Sequence, residues 1–235
     1  MPANHPIPLR HELKYHITQA ELAVLRSVLV PLMKPDGNGN AQNEYSIRSL
    51  YFDTFSDEAL DEKIAGVGNR KKYRIRIYNG SDKVIKLECK SKYGDLISKQ
   101  SVAISRELAL RLIACDPSGL ENMNHPLLKD VYREMRTRLL HPVVIVDYVR
   151  EAYVHPVQNV RITFDKQLRS GLASVALFDA SLPTVPVFDD PTEILEVKYN
   201  EFLPPFLQTA LGGITAQRSA ISKYTWCRRY ENKEY

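Results

Sequence analysis

Charged residues recur at every second position inside apolar runs in four short segments of this chain. The segments are Tyr73-Arg74-Ile75-Arg76-Ile77-Tyr78, Lys86-Leu87-Glu88-Cys89-Lys90, Arg161-Ile162-Thr163-Phe164-Asp165 and Glu193-Ile194-Leu195-Glu196-Val197-Lys198. A β-strand sends alternate side chains to opposite faces, so each segment predicts a strand with one apolar and one charged face. A charged face is ordinarily the wet side of a sheet. Here most of the charges are Arg and Lys, with a few Glu, and the pattern recurs along the chain. If such strands close into a barrel, the cations converge on one lumen, which would suit a polyanion such as linked phosphates.

The rest of the chain predicts more strands than helices. Residues 10–17 read as a first strand, with Arg10, Glu12 and Lys14 on one face and Leu13 and Tyr15 on the other. Thr18 and Glu21 carry a capping-box signature, and Leu22, Leu25, Val28, Leu29 and Leu32 predict a helix ending before Pro35. A Gly- and Asn-rich loop covers 36–43, a strand 45–53 and a helical turn 57–64. In the strand, Arg48 shares a face with Ser46 and Leu50, opposite Ile47, Ser49 and Tyr51. Strands at 71–78 and 84–92 flank Asn79-Gly80, a hairpin signal. A strand follows at 96–104, then helices at 105–115 and 125–140. Strands come next at 142–154, 159–168 and 193–200, and helices at 203–211 and 219–230 with Gly212-Gly213 as a stop. The expected fold class is α+β: one antiparallel sheet or β-barrel with helices packed outside, in a single domain over 1–235.

Composition limits the function. Apolar residues make up 44% and charged residues 26%, as in ordinary soluble globular proteins, and the net charge of +4 does not demand a nucleic-acid partner. Cys89, Cys115 and Cys227 show no CxxC spacing, against a zinc site or a disulfide framework and in keeping with a reducing compartment. Met1-Pro2-Ala3-Asn4-His5-Pro6 has no apolar signal region, and no run reaches the roughly 20 apolar residues of a membrane span. A cytoplasmic protein is expected.

The charged faces supply the candidate chemistry. Arg74 and Arg76 share a face with Lys72, with guanidinium groups about 7 Å apart along the strand, suited to neighbouring phosphates. Lys86, Glu88 and Lys90 line the partner strand, and Tyr148, Arg150 and Arg161 continue the pattern. Cross-strand salt bridges on a solvated sheet would explain any one strand. They explain five less well, because solvated faces normally mix Thr, Ser and Gln with their charges. Glu196 lies among bulky apolar neighbours, with Lys198 on its face; Glu12 and Glu88 are similar. Such carboxylates either pair with the cations or hold a divalent metal that bridges phosphate oxygens, and beside a phosphate site Glu196 inclines to the metal. There is no GxSxG, P-loop or HExxH motif, and the six histidines are scattered. Phosphoryl transfer relies on positioning and charge neutralisation more than on a nucleophile.

Eight short motifs occur in order: RHELKY from Arg10, LYFDT from Leu50, YRIRIY from Tyr73, LECK from Leu87, YVREAY from Tyr148, VRITFD from Val160, LEVK from Leu195 and SKY from Ser222. As a set over about residues 9–228 they resemble the VTC domain, the polyphosphate polymerase module of the vacuolar transporter chaperone complex, in a stand-alone bacterial form. That domain is a triphosphate tunnel metalloenzyme. The resemblance implies an antiparallel β-barrel tunnel, a nucleoside triphosphate such as ATP, Mn²⁺ or Mg²⁺, and transfer of the terminal phosphate onto a polyphosphate chain threading the tunnel. It implies phosphate contacts from Lys14, Arg74, Arg76, Lys90, Arg150, Arg161, Lys198 and Lys223, a metal ligand at Glu196, and supporting hydroxyls at Tyr148 and Ser222. Arg74, Arg76, Lys90, Arg150, Arg161 and Lys198 form the expected catalytic set, and Arg48, Lys63, Lys86 and Lys99 join the substrate-binding candidates. Glu12 and Glu88 are further metal candidates.

Two positions depart from the family pattern. Lys63 stands where an Arg is expected, which loses the bidentate fork, and Ala220 stands where the eukaryotic pattern is basic. The regulatory SPX domain and membrane helices of the eukaryotic complex have no counterpart, so export of product would need a separate membrane partner. A triphosphatase in the same tunnel and a non-catalytic polyphosphate sensor are the alternatives; the intact LEVK motif weighs against the sensor.

Overall fold

The computed structural model describes residues 8–213 and 218–230. In chain order the elements are β1 (Arg10–Thr18), α1 (Gln19–Leu29), β2 (Lys34–Pro35), β3 (Glu44–Asp53), α2 (Glu58–Ile64), β4 (Asn69–Tyr78), β5 (Ser81–Tyr93) and β6 (Leu96–Ala103). There follow α3 (Arg106–Ile113), α4 (Pro126–Thr137), β7 (His141–His155), β8 (Val160–Ser170), β9 (Val185–Pro186), β10 (Thr192–Tyr199), α5 (Pro205–Leu211) and α6 (Lys223–Cys227). The ten strands form one antiparallel sheet in the order β2-β7-β3-β4-β5-β6-β1-β10-β8-β9. A further pairing of β7 with β8 joins the two sides of this sheet into a ring, leaving only the short β2 and β9 outside it. Closure removes the long sheet edges and fixes which strand faces point inward.

Local sequence explains the connections. Asn79 and Gly80 link β4 to β5 at φ 52° and 63°, the left-handed pair that a two-residue hairpin needs. The Asn79 side chain also accepts the Ser46 N–H at 2.9 Å, tying the turn to β3. Thr18 caps α1 by accepting the Glu21 N–H at 3.1 Å, and the Glu21 carboxylate accepts the Thr18 N–H at 2.9 Å.

The helices are shorter than the sequence suggests, α1 and the last one most of all. α1 stops at Leu29, because Lys34 and Pro35 join the sheet against Val154 and Tyr153. The last helix covers only Lys223–Cys227. Ahead of it, Arg218 bridges to Tyr15 and Ser219 N–H donates to the Lys14 carbonyl, so this segment runs along β1 instead of coiling. Residues 214–217 and 231–235 lie outside the described residues.

Much of the apolar surface of the strands points outward, under helices. Leu50, Ile75, Ile77 and Leu87 pack with Leu108, Leu112, Leu127 and Val131 of α3 and α4. Ile17, Ile162, Phe164, Leu195 and Val197 pack under Leu22, Leu25 and Leu29 of α1 and Leu207 of α5. A third cluster sets Ile221, Tyr224 and Cys227 against Tyr51, Val144, Val146, Tyr148 and Ile194. α6 therefore packs against the inward-facing side of the strands and carries Ser222 and Lys223 with it. No helix among the described residues is long and apolar enough to cross a membrane.

One ion-pair cluster on the outer face fastens α1 to the barrel. Arg26 Nε and Nη2 donate to the buried Glu151 carboxylate at 2.8 and 2.7 Å, and the Tyr153 hydroxyl and Lys166 ammonium donate to it at 2.6 and 3.0 Å. Burial would raise the Glu151 pKa, but these donors outweigh it and hold it at about 2, against an ordinary 4.5. Its stabilisation is therefore complete above pH 4.5 and is lost as the pH falls towards 2. Glu151→Gln should cost about 1–3 kcal/mol at neutral pH. It should also flatten the fall in melting temperature between those two pH values, which melts recorded across the acid range will measure.

Candidate functional site

The inward strand faces enclose a cavity of about 580 Å³ lined by fifteen arginines and lysines against three carboxylates, Glu12, Asp95 and Glu196. Register explains how the charges meet. Across β4 and β5, Arg74 stands opposite Glu88 and Lys72 opposite Lys90; across β1 and β10, Glu12 stands opposite Lys198 and Lys14 opposite Glu196. The last four make a checkerboard of alternating sign, so each ammonium has a carboxylate both beside and across from it.

Four carboxylates in and around the cavity, Glu88, Asp165, Glu196 and Glu12, act as hubs. Glu88 accepts Arg74 Nε and Nη2 at 2.8 and 2.6 Å and Lys99 Nζ at 3.0 Å, with Arg76 at 3.7 Å. Arg76 is turned by Ser49 Oγ at 3.0 Å and the Tyr148 hydroxyl at 3.1 Å, and Arg74 donates to the Tyr51 hydroxyl at 2.8 Å. Asp165 accepts Arg150 through both oxygens at 2.6 and 2.7 Å and pairs with Lys223 at 2.5 Å. Glu196 accepts Lys223 at 2.7 Å and Lys198 at 2.6 Å, with Lys14 and Arg150 each at 3.5 Å. Glu12 accepts Lys90 at 2.7 and 2.8 Å and pairs with Lys14 at 3.1 Å.

These contacts set the titration of the site. Burial would raise the carboxyls of Glu12 and Glu196, but the surrounding cations overcome it. Lys90, Lys14 and Lys198 hold Glu12, and Lys198, Lys223, Lys14 and Arg150 hold Glu196, well below the carboxylate range. For Lys90 burial prevails over the pull of Glu12 and lowers the ammonium to about 8. Lys72 lies well below its ordinary value, first through burial and then through Arg70, Lys14, Lys63 and Lys90.

The cavity gathers most of the residues that alternation or the family resemblance singles out. Arg74, Arg76, Lys90, Arg150, Arg161, Lys198, Lys14, Lys63, Lys99, Tyr148, Ser222 and Lys223 all line it, as do Glu12 and Glu196. Arg161 sits where it also pairs with Asp36 and donates to the Tyr45 hydroxyl at 2.7 Å. Three candidates stand elsewhere. Arg48 lies on the outer face, in a fork with Asp147, its partner across β3 and β7. The alternation had put Arg48 on the face of Leu50, and the outer core begins there. Lys86 shares the inward parity but rests 5.7 Å from the Tyr78 ring, beyond the cavity lining. Glu88 is enclosed by Arg74, Arg76 and Lys99 and does not line the cavity, so its oxygens serve those cations.

Asp165, Tyr51 and Arg70 are among the site residues that the sequence does not single out. Asp165 shares its strand face with Arg161, so the alternation contained the signal. Tyr51 and Arg70 gave none beyond parity, and their roles depend on which neighbours the closed barrel brings to them.

A divalent metal has a place here only together with phosphate. Among the described residues no group of three or more His, Cys, Asp or Glu converges. The lumen offers Glu196 and Glu12, and beside Glu196 the buried Thr163 hydroxyl, which has no hydrogen-bond partner and stands directly opposite it on β8. One or two carboxylates, with phosphate oxygens and water completing the shell, is the donor set that Mg²⁺ and similar hard ions accept, so these residues fit such an ion.

A family model described as the VTC domain matches residues 9–230. Among solved structures, a protein from Pyrococcus horikoshii OT3 is similar at 13% identity and a TM-score of 0.47, covering 92% of this chain and 96% of its own. A candidate adenylate cyclase from Bacillus halodurans is similar at 13% identity and a TM-score of 0.46, covering 86% and 89%. No curated protein matches the chain.

Asp165 offers a direct test of the charge balance. Asp165→Asn leaves Arg150 and Lys223 without their buried counter-charge and should cost about 3–5 kcal/mol of stability. Saturating tripolyphosphate should return more melting temperature to this variant than to the parent, because the anion replaces the missing charge. Thermal shift with and without ligand, repeated at high salt, measures it.

Proposed function

The chain belongs to the VTC domain family, and on that premise we propose that it lengthens inorganic polyphosphate by taking the terminal phosphate of a nucleoside triphosphate such as ATP. The observation that carries this reading is a closed lumen with fifteen cations against three carboxylates. Among the described residues the carboxylates balance only part of that charge, and linked phosphates are the polyanion that would balance the rest. In this reading Arg74, Arg76, Lys90, Arg150, Arg161 and Lys198 hold the transferring phosphates, with Lys14, Lys63, Lys99, Lys223, Tyr148 and Ser222 around them. Glu88 and Asp165 position the guanidinium groups in advance. Little reorganisation is then needed when charge develops on the transferred phosphoryl group.

The resemblance to the polyphosphate polymerase module favours transfer over hydrolysis, and the lumen carboxylates agree with it. An attacking water must give up its proton, and a base far below neutral pKa accepts one poorly. Glu12 and Glu196 are both held in that state by their lysines. The end of a polyphosphate chain is already ionised at neutral pH, its second pKa being about 6 as in a phosphate monoester, and needs no base. A bound divalent ion, Mn²⁺ or Mg²⁺, would be held by Glu196 with Glu12 beside it and would neutralise charge on phosphate oxygens. Incubation with ATP and either metal, with products sized on a gel, tests the reading. Long chains are expected. Orthophosphate alone would make the protein a hydrolase, and no turnover would make it a binding protein.

Glu196→Gln keeps shape and volume but removes the charge for the metal. Turnover per folded molecule should fall about a hundredfold or more. Metal-free tripolyphosphate binding should persist or tighten as a repelling carboxylate is lost. The melting temperature should also fall, since Lys223 and Lys198 lose their shared partner. Turnover close to normal per folded molecule would take Glu196 out of the mechanism.

A further inference from the structure

A second cleft of about 310 Å³ lies outside the barrel, between α2, β4, β5 and α4. The outer core covers Ile75, Ile77, Leu87 and Cys89, and beyond them the outward faces of β4 and β5 open into this cleft through Asn69 and Tyr93. Its charge differs from that of the lumen. Four cations, Arg70, Lys71, Lys92 and Arg138, face four carboxylates, Asp53, Glu58, Glu62 and Glu134, so the cleft offers no excess charge to a phosphate. Phe52, Tyr73 and Leu140 give it a buried apolar floor. A small concave site with such a floor and a few polar groups suits an uncharged polar ligand. Two of its groups are free to meet one. Arg138 pairs with Glu58 at 2.7 Å and with Glu134 at 3.7 Å, whereas the Glu62 carboxylate has no hydrogen bond or ion pair among the described residues. The Tyr93 ring is 50% exposed. The cleft also adjoins the lumen, because Arg70 and Lys92, opposite each other across β4 and β5, line both.

We propose that this cleft holds the nucleoside of the nucleoside triphosphate whose phosphates enter the lumen, with the base stacked on Tyr93 and the ribose hydroxyls donating to Glu62. The proposal rests on the reading of the lumen as a nucleotide-using phosphate site and adds what selects the nucleotide. A nucleoside is uncharged, so the lumen cations give it little hold; stacking and hydrogen bonds must supply it. Glu62 lies close enough to Arg70 for each to act on the charge of the other. The sugar, bonded directly to the phosphates, therefore meets Glu62 as it leaves the lumen, and the base lies one bond further out. A carboxylate is an acceptor through both oxygens, which matches the two neighbouring hydroxyls of ribose. Stacking on one exposed ring tolerates any base. The cleft thus separates nucleotides from condensed phosphate more than one nucleotide from another.

The test titrates ATP, dideoxy-ATP and tripolyphosphate into the protein by calorimetry, in EDTA at fixed ionic strength. Tyr93→Ala should lower ATP affinity about tenfold and tripolyphosphate affinity less than about threefold. The parent should prefer ATP to dideoxy-ATP about fivefold or more, and Glu62→Ala should bind the two equally. Neither side chain is buried, so both variants should melt close to the parent. Parallel losses for ATP and tripolyphosphate in Tyr93→Ala, unchanged ATP affinity in that variant, or a ribose preference that survives Glu62→Ala would overturn the proposal. A parent that binds neither ATP nor tripolyphosphate would overturn it together with the reading of the lumen. Absence of polyphosphate product, with these selective losses intact, would remove the polymerase reading and leave the nucleoside site standing.

Discussion

Fifteen cations facing one lumen repel one another, and the barrel closes around them because four carboxylates are threaded between. The side chains of Glu12, Glu88, Asp165 and Glu196 are only 0–6% exposed, and each touches at least two cations. Ion pairs taken out of water gain little net stability against apolar residues of the same volume, since desolvation cancels most of the attraction. Their value here is positional. A guanidinium held by two oxygens of a fixed carboxylate, as Arg150 is by Asp165, points in one direction before any ligand arrives.

The stability that carries this strained interior comes from the other side of the sheet. Inward charges on β4, β5, β8 and β10 alternate with outward residues such as Ile75, Ile77, Leu87, Ile162, Phe164, Leu195 and Val197, which lie under helices. The arrangement inverts the usual small barrel, whose lumen is filled with apolar side chains. It depends on helices α1, α3, α4 and α5 to cover the outer face, and on contacts such as Arg26 with Glu151 to fasten them. α6 meets the inward side instead, which is how a five-residue helix delivers Ser222 and Lys223 into the lumen.

The lining cations divide between those held in ion pairs, which are fixed and exchange partners on binding, and Arg10, Lys63, Arg70, Lys72, Lys92 and Arg218, which make no ion pair among the described residues. Of the three carboxylates that line the cavity, Glu12 and Glu196 are tied to lysines and are poor proton acceptors. That combination suits a reaction between two species that are already anions.

Alternation by itself determined a great deal. It assigned Arg74, Arg76, Glu88 and Lys90 to one face, Glu12 and Lys14 to another, and Glu196 and Lys198 to a third, because side-chain direction in a strand has period two whatever the partner. It also placed Arg48 with Leu50, on the face that proved to be outside. Whether the charged faces look outward to water or inward to one lumen was not in that pattern. The pairing of β7 with β8 decided it, running from His155 with Val160 to Val146 with Ser170 and closing the ring. Partnership was undetermined for the same reason. Asp165 reaches Arg150 and Lys223, Glu12 reaches Lys90, and Lys72 faces Lys90 only through registers that strand order imposes. A local pattern fixes the direction of a side chain; its electrostatic neighbours are supplied by strands distant in sequence, so only the closed sheet could say which cations are neutralised and which are left for a ligand.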